Sequence, residues 1–137
     1  MFGTFDISAS GLNAQRVRID TIASNIANAD STIAGRAADG SVVPYRRLFT
    51  IFQTQQTADG TPGGVQVTSI QQDPSPFREK MDPGNPLADS RGIVKYPNVD
   101  LFVENADALE AYRSYEANVT AIETTKSMMS ATLRVLA

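Results

Sequence analysis

Two stretches of the chain repeat apolar side chains every seven residues, and the stretch between them does not. In the first, Phe5, Leu12, Ile19 and Ile26 form one row, and Ile22 and Ala29 fall at the companion position three residues further on. Ala9 and Ala23 widen this stripe, so the pattern predicts an amphipathic helix from about Thr4 to Asp30, roughly 40 Å long. In the last stretch, Tyr112, Val119, Lys126 and Leu133 form one row and Tyr115, Ile122, Met129 and Leu136 the other. Four consecutive pairs of this kind read as a coiled-coil-like seam, interrupted only by Lys126. Asn105 with Asp107, or Asp100 slightly earlier, is placed to cap its start.

Between these ends the period changes. All seven prolines and seven of the nine glycines lie between Gly35 and Pro97, and proline inside a helix costs about 3 kcal/mol or more. Residues 44–53 and 65–70 have the composition of strands, and the turn-forming run Asp59-Gly-Thr-Pro-Gly-Gly between them predicts a hairpin. Asp73-Pro-Ser-Pro and Asp82-Pro-Gly-Asn-Pro read as loops, because each X-Pro step pushes the preceding residue out of the helical region. A short strand at Gly92-Ile-Val-Lys-Tyr then completes a small sheet. The fold class is α+β: two long terminal helices forming an antiparallel coiled-coil-like pair, with a small β-rich, Pro/Gly-rich insert. The divisions fall at 1–34, 35–100 and 101–137.

Composition narrows the chemistry. The 137 residues include no Cys and no His, which removes thiol nucleophiles, imidazole acid–base catalysis and the usual Zn, haem or Fe–S ligand sets. Twelve basic against fifteen acidic side chains, with no basic cluster longer than Arg46-Arg47, argue against a nucleic-acid binder. No apolar run approaches the roughly 20 residues of a membrane span. The first residues lack the basic and apolar regions of a Sec signal peptide.

The remaining candidates for chemistry have ordinary readings. Asp73, Asp82 and Asp89 sit in loops where a carboxylate before or near proline is common turn chemistry, and none of the spacings matches a Ca²⁺ loop. Ser127 beside Lys126 points to a different helix face and makes no dyad. Asn25, Asn28 and Asn118 are mediocre helix formers, and amides in helices destined for burial need hydrogen-bond partners, here expected across a subunit contact. An adaptor whose helical hairpin captures one partner, and a small carboxylate-dependent hydrolase, are the other readings.

Ala23-Ser-Asn-Ile-Ala-Asn-Ala-Asp-Ser is similar to the Ala-Asn-Asn-Leu-Ala-Asn signature that closes the first helix of flagellar rod and hook proteins. Tyr45-Arg-Arg, Asp73-Pro-Ser-Pro-Phe-Arg, Asp82-Pro-Gly-Asn-Pro, Gly92-Ile-Val-Lys-Tyr-Pro-Asn-Val and Tyr112-Arg-Ser-Tyr-Glu-Ala-Asn-Val follow in the order that also resembles the flagellar basal-body rod proteins. The chain departs from them at Met81, Asn85, Glu116 and Thr125, where Tyr, His, Gln and Ala are usual. The resemblance implies a structural subunit of the proximal rod, with no catalytic role, cofactor or metal. It also implies passage through the flagellar type III export apparatus and helical assembly with copies of itself and other rod proteins across the periplasm. A distal-rod or hook-type subunit is the neighbouring alternative. Subunit packing is then expected from Phe5, Leu12, Ile19, Ile22, Asn25, Ile26 and Asn28 at one end. From the other come Tyr112, Tyr115, Asn118, Val119, Ile122, Met129, Leu133 and Leu136. Before assembly these ends are expected to be partly unfolded, since an isolated amphipathic helix is marginal.

Overall fold

The computed structural model describes residues 2–38, 40–57 and 60–136, with side chains described for all of these except residues 2, 62, 135 and 136. Eight elements follow one another: α1 (Phe2–Ala27), β1 (Gly35–Arg36), β2 (Val42–Val43), β3 (Leu48–Gln56), β4 (Pro62–Gln72), β5 (Arg78–Met81), β6 (Ile93–Tyr96) and α2 (Leu101–Leu136). The expected order of helix, β-rich middle and helix is observed. α1 stops at Ala27, short of Asp30. There the Asn28 side chain turns back to donate to the Ser24 carbonyl at 2.9 Å, and Ser31 donates to Asn28 Oδ1 at 3.2 Å. α2 is capped by Asp100, whose Oδ1 accepts the N–H groups of Phe102 at 2.8 Å and Val103 at 3.4 Å. Asn105 instead donates to the Leu101 carbonyl inside the helix.

β3 and β4 form the expected antiparallel hairpin, with Leu48 opposite Gln72 and Ile51 opposite Ser69. The register then steps to Phe52 opposite Val67, so Thr68 is an extra residue on β4. β6 does not join this hairpin. It pairs with β5 in a separate two-stranded sheet, Arg78 opposite Tyr96 and Met81 opposite Ile93, and β1 pairs with β2 in a third. Pro74 and Pro76, directly after β4, stop that strand and turn the chain away. β5 was not legible as a strand because Arg-Glu-Lys-Met is charged and fully exposed.

α1 lies between α2 and the β3–β4 hairpin. Gly11 faces Asn118 and Asn25 faces Glu104, so the helices run antiparallel. The face of α2 turned from solvent carries Glu104, Ala108, Ala111, Tyr115, Asn118, Ile122, Thr125 and Met129. One expected row, through Tyr115, Ile122 and Met129, is therefore on this face. The other is displaced by one residue: Ala111, Asn118 and Thr125 occupy it, whereas Tyr112, Lys126 and Leu133 are exposed and Val119 is half-buried. Close approach explains the shift, since a Cβ on Gly11 would lie 2.9 Å from the Asn118 amide nitrogen. Only small or hydrogen-bonding side chains fit such a gap, and the bulkier Tyr112 turns outward. Lys126 accordingly interrupts nothing.

The enclosed apolar side chains are few: Ala14, Ile22, Ala29, Pro44, Val94, Pro97, Val99 and Ala111 among the described residues. Phe5, Leu12, Ile19 and Ile26 are half-buried. No helix is long and apolar enough to cross a membrane.

Candidate functional site

The largest fully buried side chain is a charged one, Glu104 at the start of α2, and beside it Asn25 is equally enclosed. They meet because α1 carries Asn25 in its last two turns while the Asp100 cap starts α2 four residues before Glu104. The Asn25 amide is fully used. Its Nδ2 donates to the Leu48 carbonyl at 2.8 Å and to Glu104 Oε2 at 3.0 Å; its Oδ1 accepts from Leu48 N–H at 2.9 Å and the Tyr45 hydroxyl at 3.0 Å. Four bonds saturate a carboxamide. By holding both backbone groups of Leu48, the side chain takes the place a neighbouring strand would have along the outer edge of β3.

Arg47 supplies the countercharge. Its Nε lies 2.6 Å from Glu104 Oε1, one terminal nitrogen lies 3.3 Å from Asp107 and the other 3.6 Å from Asp73. Burial by itself pushes the Arg47 guanidinium down, but the bond to Glu104 and the charges of Glu104, Asp107 and Asp73 outweigh it and hold it above its ordinary value. Arg18 on α1 completes the ring of charge, 3.6 Å from Asp107 and 3.4 Å from Glu110. Behind Arg47, its backbone N–H donates to Asn98 Oδ1, and the Asn98 amide in turn donates to the carbonyls of Asp73 and Ser75. Arg46 donates to the same two carbonyls and lies 4.3 Å above the Phe77 ring. The result is a polar joint that ties α1, α2, the hairpin's root and the 73–77 loop together.

The loop carboxylates each serve their own turn. Asp73 accepts the N–H and hydroxyl of Ser75, bonds that hold it below its ordinary value despite partial burial, with Arg47 adding to the effect. Asp89 accepts the N–H groups of Ile93 and Arg91. Asn85 reaches Asp82 at 3.5 Å. Of the three asparagines singled out in the sequence, Asn28 and Asn118 donate to carbonyls of their own helices, at Ser24 and Ser114. Only Asn25 joins separate elements, and it does so within one chain. Leu136 lies outside the residues with described side chains. Glu104 escaped the sequence reading, Tyr45 and Arg47 entered it only within the Tyr45-Arg-Arg motif, and Asp107 only as a helix cap, a role that Asp100 takes instead. One signal was present: Glu104 falls on the row of Ala111, Asn118 and Thr125, a row that an apolar pattern alone does not mark.

Two family models match the two arms of this joint. One, described as flagella basal body rod protein, covers residues 5–32, and one described as the C-terminal part of the flagellar basal body rod FlgEFG proteins covers residues 90–135. Full-length relatives span the middle as well. The flagellar basal-body rod protein FlgC of Yersinia enterocolitica is 45% identical, covering 97% of this chain and 96% of its own. FlgC of Bacillus subtilis strain 168 is 41% identical over 98% and 97%, and that of Borreliella burgdorferi 38% over 99% and 97%. The chain belongs to the FlgC family of flagellar basal-body rod proteins.

FlgC proteins are structural components of the flagellar basal-body rod and not an enzyme class. That assignment fits the joint, in which every charged group is turned toward another element of the same chain. The first matched segment brings Arg18, Ser24 and Asn25 to the FlgC joint; the second brings Asn98, Glu104, Asp107 and Glu110. Tyr45 to Leu48 and Asp73 to Phe77 lie between the two segments, within the span aligned to whole FlgC chains.

Proposed function

We propose that the chain works as a rod subunit by packing the outer face of α2 against copies of itself and against other rod proteins. One observation carries this reading: α2 leaves Phe102 85%, Leu109 61% and Tyr112 54% exposed, on turns of a helix whose opposite face is already covered. Large apolar side chains concentrated in this way mark an interaction surface. Burying each one fully contributes roughly 1.5–3 kcal/mol.

In this reading residues 1–34 and 101–137 form a helical core domain with a coiled-coil-like seam, and residues 35–100 an appended middle region. Half-buried Phe5, Leu12, Ile19 and Ile26 complete their burial against neighbouring subunits. Head-to-tail contacts between unlike surfaces build a helical tube, and torque passes through the packed wall. The flagellar export apparatus recognises the N-terminal region before assembly, as the resemblance implies.

The test is association of the full chain followed by light scattering at rising concentration, alone and mixed with other rod subunits, with motility of a strain relying on the same gene. Phe102→Ser/Leu109→Ser/Tyr112→Ser is expected to keep its circular dichroism and to lose both association and motility. Full motility with all three changes would overturn the reading. A finite, closed complex would point to the adaptor instead.

A further inference from the structure

The apolar contact between α1 and the hairpin involves no residue of α2, and the seam between the helices involves none of β3 or β4. Contacts of that kind alone would let the hairpin leave while the helices stay paired. The polar joint removes this independence. Glu104 is fully enclosed, and its two oxygens are met from two other elements: Asn25 on α1, and Arg47 in the segment that leads into β3. A buried carboxylate that loses its cation is strongly destabilising, far more than one replaced outright by an apolar side chain. With the hairpin's root displaced, Glu104 has no place beside α1.

The dependence also runs the other way. Asn25 can hold Leu48 N–H and carbonyl together only while α1 is helical through residue 25, because Asn25 lies in the last two turns before Ala27. Unwinding of that end frees the root of β3 together with Tyr45, whose hydroxyl is held by the same amide. Ser24, one residue earlier, lies 3.4 Å from that hydroxyl.

We infer that Asn25, Arg47 and Glu104 form a conditional joint, which makes the seating of the β3–β4 hairpin and the pairing of α1 with α2 one event. Arg47 is the messenger between hairpin and α2, and Glu104 is the residue that makes its absence intolerable. Anything that immobilises the hairpin then orders the bases of both helices. The coupling is internal to one chain and stands whether or not the outer face of α2 meets neighbours.

Amide hydrogen exchange on the full-length chain, resolved by mass spectrometry, tests it. Peptides from the hairpin and from residues 101–111 are expected to lose protection at a common urea concentration. Arg47→Met is expected to lower protection of 101–111 roughly a hundredfold, although Arg47 belongs to no helix. The same change made in a Glu104→Met background is expected to lower it less than about threefold, because the conditional group is gone and the two sites no longer couple. Should Glu104→Met lose helicity by circular dichroism, Glu104→Gln replaces it as the background. Unchanged protection of 101–111 in Arg47→Met overturns the inference. An equal loss in both backgrounds overturns it too, since Arg47 would then be acting through general stability.

Discussion

α1 is covered on two sides and α2 on one. α1 meets α2 at Gly11 and Asn25 and the hairpin at Ser10, and it carries four of the eleven buried residues described, Ala14, Thr21, Ile22 and Asn25. α2 is ten residues longer and carries only two, Glu104 and Ala111. Of the buried residues of α1 only Ile22 is a large apolar one, beside Ala14, Thr21 and Asn25, whereas α2 leaves Phe102, Leu109 and Tyr112 exposed. A helix packed on two sides within its own chain is specified there by fit and hydrogen bonding. One that keeps large side chains in solvent has contacts still to make.

The sharpest way to break the comparison is at Asn25. Asn25→Leu keeps the branching at Cγ but replaces the amide by methyl groups, which leaves the N–H and carbonyl of Leu48 unpaired. Each orphaned buried group costs about 1–3 kcal/mol, so a loss of about 2–6 kcal/mol is expected in urea denaturation. That is a large share of a typical 5–15 kcal/mol. A loss below about 1 kcal/mol would mean that the amide is not holding the root of β3.

Glycines on the two sides of α1 give a second, smaller contrast. Gly64 has φ of +124° and faces α1, where a Cβ would fall on the Ser10 side chain. Ser10 Oγ meanwhile accepts the Val65 N–H at 3.0 Å. Gly64→Ala combines a strained backbone, at about 1–3 kcal/mol, with displacement of Ser10. Gly11→Ala meets only the amide of Asn118, the far end of a side chain that can swing, and is expected to cost less than Gly64→Ala. Melting temperatures of the two variants in the opposite order would mean that the α1–α2 approach is the less forgiving side.

These contrasts also mark what the residues alone made legible. The elements and the hairpin were readable, because proline confinement and the seven-residue period report local backbone preference. The Tyr115, Ile122 and Met129 row was readable for the same reason. The Ala111, Asn118 and Thr125 row was not, since hydrophobicity favours Tyr112 and Leu133 over them and only the closeness of Gly11 reverses the choice. Asn25 was noticed as an amide in need of partners, but those partners, Leu48 and Glu104, lie 23 and 79 residues away. Nothing in local sequence encodes such pairings. Glu104 stands in the first turn of α2, where an acid is favourable on any helix, and its burial depends on where Arg47 arrives.

Acid gives a milder perturbation, read at Asp73 on the joint's rim. Asp73 is held below its ordinary 3.8 first by its bonds to Ser75 and then by Arg47. A carboxylate with a depressed folded value contributes stability that is complete above the unfolded value and disappears as pH falls through the folded one. Stability is therefore expected to decline below about pH 3.8, and Asp73→Asn to flatten that part of the profile. An identical acid limb in the variant would assign the decline to other carboxylates.

The smallest effect on the isolated chain is expected on the outer face of α2, and there the comparison matters most. Phe102 and Leu109 are 85% and 61% exposed, so Phe102→Ser or Leu109→Ser removes almost no burial inside the subunit. Exposed substitutions away from caps and networks usually shift stability by less than about 0.5 kcal/mol. Phe102 adjoins the Asp100 cap through its backbone N–H, which serine retains. Unfolding midpoints of these variants should match the parent, while association, read by light scattering, should fall steeply if α2 completes its burial between subunits. The matching change on α1, Ile22→Ser, should do the reverse and destabilise the chain before any partner is added, because Ile22 is only 5% exposed. If both helices respond alike in both measurements, the difference in their coverage has no bearing on assembly, and α2 presents its apolar face for some purpose other than packing in the rod.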